Sequence, residues 1–186
     1  MNKKIIVIVF VIFIVIFAYI DIKKNSLSSQ SKNNIVSQVM FDGKNSSFVI
    51  NSVNVTLKNG ISETEAAPGS ASKIITRYFG NEAYGDLNGD GLQDEAFLIT
   101  QETGGSGIFY YVVVALKTAT GYKTTNAFFI GDRIAPQTTE INTSAKELYV
   151  NFAERKLGEP MTVQPSQGAT LYLKVTPAGV LEGLMK

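Results

Sequence analysis

Two hydrophobic patterns divide the chain. From Ile5 to Ile20 sixteen apolar or aromatic residues follow one another without a charge. Beyond Ile35 the apolar residues come in short bursts separated by Gly, Pro, Asn and Ser. The first pattern predicts one apolar helix. It would rise about 24 Å, slightly short of a bilayer's hydrocarbon core. The pairs Lys3-Lys4 and Lys23-Lys24 can lengthen it by reaching toward the headgroups. Apolar residues cover every face and basic pairs bracket the run, which fits a membrane span better than a core helix. A secretory signal peptide would share the basic start. However, Ala18 has Ile16 two residues before it, and Ser26-Leu27-Ser28 comes only after the second Lys pair. Residues 1–24 therefore read as an uncleaved signal anchor. Lys3 and Lys4 favour a cytoplasmic N-terminus, a bias that Lys23 and Lys24 reduce. Residues 25–34, within the polar stretch Asp21–Asn34, read as a flexible linker.

The second pattern, over residues 35–186, is β. Candidate strands are Phe48–Ile50, Val53–Leu57, Lys73–Phe79, Glu95–Thr100, Gly107–Leu116, Lys123–Ile130, Glu147–Phe152, Ala169–Val175 and Val180–Met185. Asn59-Gly60 marks a turn, and Gly- or Pro-bearing stretches punctuate the rest. Ala71–Tyr78 is also compatible with a short helix. Gly107–Leu116 is nearly continuous in apolar character, as expected of a central strand buried on both faces. The expected fold is mainly β: a single antiparallel β domain (meander, sandwich or barrel) after one N-terminal transmembrane helix.

Composition then narrows the chemistry. The 17 Lys+Arg and 16 Asp+Glu give a formal net charge of +1. No basic cluster stands outside the N-terminal region, which argues against a nucleic-acid partner. There is no Cys and no His. Disulfides, thiol nucleophiles, ordinary zinc sites, Ser-His-Asp triads and lipoprotein attachment are thereby excluded.

One loop concentrates charge. Asp86, Asp90, Asp94 and Glu95 fall within ten residues, with Asn88 among them. In the pattern Asp86-x-Asn88-x-Asp90-Gly91-x-x-Asp94, side-chain oxygens recur at every second position and a Gly then permits a sharp turn. Such spacing lets one short loop wrap a hard cation. Asp86, Asn88 and Asp90 would give side-chain oxygen and Leu92 its backbone carbonyl. Asp94 would close the shell, directly or through water. Calcium tolerates this irregular oxygen cage better than magnesium. The alternative is a solvated Asp/Asn/Gly turn. Four neighbouring carboxylates repel unless water or a cation separates them, which favours structural calcium.

"GDLNGDGLQDEAFLI" resembles the calcium loop of FG-GAP repeats and of dockerin modules, and its start resembles an EF-hand loop. The twelfth position of an EF-hand needs a bidentate Glu, where this chain has Phe97, and a strand-like run follows instead of a helix. The resemblance covers about fifteen residues and implies a metal site, not a whole fold. No second copy of the loop occurs, so a multi-blade propeller is not supported. "APGSAS", "GDLNGDG", "GSGIFYYV" and "GDRIAP", in that order, are similar to a group of uncharacterised bacterial exported or membrane-anchored proteins. That likeness implies location, not chemistry.

Other motifs carry less. Asp132-Arg133 in "GDRIAP" reads as a structural ion pair at a strand end, rather than an anion grip. "TGGSG", Thr103 to Gly107, precedes a strand, so it offers no helix N-terminus to a phosphate. Phe109, Tyr110 and Tyr111 could stack a sugar, but packing of a central strand accounts for them. Ser70 and Ser72 lie near Lys73. Among other carboxylates, Glu63, Glu65, Glu102, Asp132, Glu140, Glu147, Glu154 and Glu159 show no spacing that singles out a pair. The expectation is a membrane-anchored, extracytoplasmic binding module with an envelope protein or glycan as partner. The alternative is a hydrolase of envelope polymers, using carboxylates that the fold brings together.

Overall fold

The computed structural model describes Ile20 and residues 40–185. The apolar run before Ile20 and the linker at 25–34 lie outside them. No helix among the described residues is long and apolar enough to cross a membrane. Phe41–Lys186 forms one compact unit.

A 3₁₀ turn, Gly43–Asn45, opens this unit. Twelve strands follow: β1 (Ser47–Ile50), β2 (Val53–Thr56), β3 (Ile61–Glu65), β4 (Lys73–Gly85), β5 (Asp94–Glu102), β6 (Phe109–Thr118), β7 (Gly121–Thr124), β8 (Phe128–Asp132), β9 (Ala135–Asn142), β10 (Glu147–Glu154), β11 (Gln167–Val175) and β12 (Leu181–Gly183). Each pairing between them is antiparallel. β1 and β2 form a hairpin. A larger sheet runs β3-β4-β5-β6-β7, with β8 also paired to β6, and a third sheet runs β12-β11-β10-β9.

The burial pattern follows from the period-2 geometry of strands. Ala96, Leu98, Val112, Val114 and Leu116 point one way from β5 and β6. They meet Leu148, Val150, Phe152, Leu173 and Leu181 of the third sheet. Phe97, Ile99, Tyr111 and Val113 point the other way and meet Phe48, Ile50 and Leu57 from the β1–β2 segment. Both faces of β5 and β6 are thus covered, which is why their sequences read as nearly unbroken apolar runs.

Three expectations need correction. Ala71–Tyr78 holds no helix; the extended backbone of β4 runs through it to Gly85. Lys123–Ile130 is not one strand. Residues 125–127 interrupt the strand between β7 and β8: Thr125 still donates its N–H to Val114 at 2.8 Å, while Asn126 is bonded to Leu181 through both ends of its amide, at 2.8 and 3.3 Å. The polar strands β3 and β9 escaped the hydrophobic pattern. The Asn59-Gly60 turn is present, with φ of 52° and 86°, the left-handed pair that a type I′ turn requires.

Candidate metal centre

The acidic loop joins β4 to β5 and is wound around its own carboxylates. Asp86 Oδ1 accepts the Gly89 N–H at 2.6 Å and the Asp90 N–H at 3.2 Å, while Oδ2 accepts the Gly91 N–H at 3.0 Å. Asn88 Oδ1 accepts the Asp90 N–H at 2.9 Å, and Asn88 Nδ2 donates to Asp90 Oδ2 at 2.9 Å. Asp90 Oδ1 accepts the Leu92 N–H at 2.8 Å. Gly89 and Gly91 make this path possible at φ of 81° and 83°, a region that costs other residues strain. The backbone N–H groups thus supply part of the compensation that the acidic cluster needs. Lys146, in the turn between β9 and β10, brings its Nζ to 2.1 Å from where a Cβ at position 89 would stand; that flexible side chain can move aside, so the left-handed φ is what favours Gly there.

Asp94 has a different task. It is fully buried. Its Oδ2 accepts the Leu87 N–H and its Oδ1 the Lys117 N–H, each at 2.9 Å. It therefore ties the start of the loop to the end of β6. Burial pushes the Asp94 carboxyl above its ordinary range, and the backbone donors of Lys117, Leu87 and Asn88 oppose that shift.

Asp86, Asn88 and Asp90 are thus drawn together, while Asp94 turns inward beneath them. Among the described residues no group of three or more acidic side chains stands at metal-holding separation. The donor set nevertheless suits a hard cation. All the candidate atoms are oxygen, and each carboxylate oxygen has two lone pairs; Asp86 Oδ1 uses both on Gly89 and Asp90, while Asp86 Oδ2 and Asp90 Oδ1, which each accept one backbone N–H, retain one. Asn88, Asp90 and Leu92 open onto a cleft of about 380 Å³, whose other wall includes Lys117, Lys123 and Gly179.

Glu95 does not belong to the loop's charge. It lies one residue past Asp94 on a strand, so it points to the opposite face, that of Phe97. It stands across from Tyr84. Burial pushes its carboxyl up to about 7, with repulsion from Glu82 and Asp42 adding to the shift. Glu82 shares this face because it lies two residues before Tyr84 on β4, just after an irregularity in that strand. The register against β5 slips between Tyr78 and Gly80 and again between Gly80 and Ala83, at a left-handed pair, Gly80 and Asn81, with φ of 95° and 55°. The Tyr78 hydroxyl then donates to Glu82 Oε1 at 2.5 Å. Glu82 and Asp42 were overlooked in the sequence. The Gly-Asn step inside a β-branched run was the available sign of a bulge.

The remaining candidates resolve into structural roles. Arg133 Nη2 pairs with Asp132 Oδ2 at 2.6 Å, and Asp132 Oδ1 also caps the Ile108 N–H at 3.0 Å. Lys73 pairs with Glu63 at 3.0 Å and Ser70 Oγ accepts the Ser72 N–H at 3.1 Å, which leaves no Ser-Lys couple. Thr103 to Gly107 connects the antiparallel strands β5 and β6. Tyr111 is buried against Phe129, at 5.5 Å between ring centroids. Comparison of the chain with protein-family models, curated proteins and solved structures gives no match.

Proposed function

We propose that this chain is a membrane-anchored binding module held outside the cytoplasm, with a structural calcium site in the loop 86–94. The observation that carries the calcium reading is the winding of the loop around Asp86. Three oxygen-bearing side chains at alternate positions face one short turn, at two glycines in the left-handed region. Asp86, Asn88, Asp90 and the Leu92 carbonyl would hold the ion, and Asp94 would complete the shell directly or through water. The ion would neutralise the loop and fix the acidic wall of the adjacent cleft. That cleft, with Lys117 and Lys123 opposite Asp90, offers both charge signs to an envelope protein or glycan. The anchor rests on Ile5–Ile20 and its flanking lysines.

Two measurements test this reading. Calorimetric titration of the full chain in mild detergent should show calcium binding that Asp90→Ala abolishes and that magnesium reproduces poorly. Protease added to intact cells should remove the domain from Ser26 onward. A soluble, shortened protein starting near Ser29 would instead establish cleavage of the N-terminal segment. A second reading, a hydrolase of envelope polymers, is favoured by the convergence of Glu82 and Glu95 on one face. It requires that Glu82→Gln remove a release of soluble fragments from purified envelope polymer by the unaltered chain.

A further inference from the structure

A second cleft, of about 350 Å³, lies at the hairpin between β9 and β10 and is lined by Glu140, Ile141, Asn142, Thr143, Ser144 and Tyr149. None of these residues belongs to the loop 86–94. Strand register brings them together. Glu140 of β9 stands directly across from Tyr149 of β10, and Tyr172 of β11 stands across from Tyr149 on its other side. These three side chains therefore share the outer side of the sheet. Its other side sends Leu148, Val150 and Leu173 into the core.

The Tyr149 ring is fixed in place. Its hydroxyl accepts from Asn142 Nδ2 at 3.2 Å and donates to Glu147 Oε2 at 2.9 Å. The ring also meets Tyr172 edge-on, at 5.2 Å between centroids. The turn beside it is held as well. Asn142 Oδ1 accepts the Ala145 N–H at 3.0 Å. The turn packs so closely on β4 that a Cβ at Gly85 would stand 2.7 Å from Ile141 and 2.9 Å from Thr143 Oγ1. The Thr143 and Ser144 hydroxyls, in contrast, make no hydrogen bond among the described residues. Glu140 bonds Thr138 through one carboxylate oxygen, at 3.2 Å. A fixed aromatic ring thus adjoins hydroxyl and carboxylate groups with bonding capacity left over.

We infer that this cleft seats one ring of a neutral polysaccharide, with Tyr149 against its C–H face and Glu140, Thr143 and Ser144 on its hydroxyls. A sugar ring has an apolar face and a polar edge, and an aromatic ring beside convergent polar groups matches both. No Lys or Arg lines the cleft, so a phosphate or carboxylate ligand finds no counter-charge and meets Glu140 instead. The fixed ring and turn lower the ordering cost of binding. The same face continues the pattern past Tyr149. Asn151 donates to Thr138 at 2.8 Å and accepts from Thr170 at 2.7 Å, a row of amide and hydroxyl groups suited to the next ring. This site deepens the binding-module reading, on which it rests for access to an envelope polymer, and it requires no ion in the loop 86–94.

The test is calorimetric titration of the full chain in a detergent without a sugar headgroup. Chelator is present throughout, so failure of the calcium reading and failure of this site are read separately. The probes are cellotetraose, maltotetraose and chitotetraose, with tetragalacturonate as the acidic control. At least one neutral tetrasaccharide should bind saturably, and tetragalacturonate roughly tenfold more weakly or not at all. Tyr149→Ala should weaken the binding roughly tenfold or more. Glu140→Ala, at an exposed position, should weaken it several-fold and decides the matter if Tyr149→Ala does not fold. Absence of saturable binding by all three neutral probes, equal binding of tetragalacturonate, or undiminished binding by Glu140→Ala overturns the inference.

Discussion

Val113→Asp will prevent stable folding. Val113 is fully buried on β6, in the cluster that also holds Phe48, Phe97 and Tyr111. The sequence places no compensating cation there, and the neighbours are apolar or aromatic. A carboxylate at this point loses its water and gains no partner, at a cost of several kcal/mol or about the whole stability of an ordinary domain. The chain should show no cooperative thermal transition by circular dichroism, and it should be degraded rapidly in cells. A melting temperature near that of the unaltered chain would mean that the hairpin does not cover this face of β6.

Asp94→Ala should be the next most damaging change. The carboxylate satisfies the backbone N–H groups of Leu87 and Lys117 with no exposure to solvent. Its removal orphans two donors, each at about 1–3 kcal/mol, and leaves a small void. Asp94→Asn keeps the volume but turns an N–H₂ group toward one of those donors, so it should rescue only part of the loss. In urea, both variants should unfold at lower denaturant concentration with an unchanged slope. A loss below about 0.5 kcal/mol for Asp94→Ala would show that the loop is not tied to β6 through this residue. The experiment is informative without any metal, because the bonds it breaks are within the protein.

How far these features could be read in the sequence depends on what each residue faces. Gly107–Leu116 was legible as central because Val112 and Val114 meet one layer and Val113 meets the other, leaving no position for a polar residue. β3 and β9 were not legible. Residues such as Glu63, Thr138 and Glu140 look outward, and their strand state comes from backbone pairing with β4 and β10. The loop's internal turns followed from Asp/Asn/Gly chemistry. The inward role of Asp94 did not, since its partner Lys117 is 23 residues away. The separation of Glu95 from the loop follows from strand alternation once β5 is known to begin at Asp94. The Tyr78–Glu82 contact does not, because two slips in β4 lie between those residues and no period predicts their size.

The calcium reading is tested most directly by melting the full chain in mild detergent, first with chelator and then with titrated calcium. Extracellular calcium modules have dissociation constants of about 10⁻⁴ to 10⁻³ M. Millimolar calcium at the tighter end adds about 1.4 kcal/mol, so the melting temperature should rise by about 3–6 °C. The loop's existing bonds to its own backbone mean that chelator should lower the transition without abolishing it. Asp90→Ala should melt at one temperature regardless of calcium, and magnesium should give little of the shift. Identical curves in chelator and in calcium, for the unaltered chain, would contradict a structural calcium site and leave the loop a turn held by its own N–H groups.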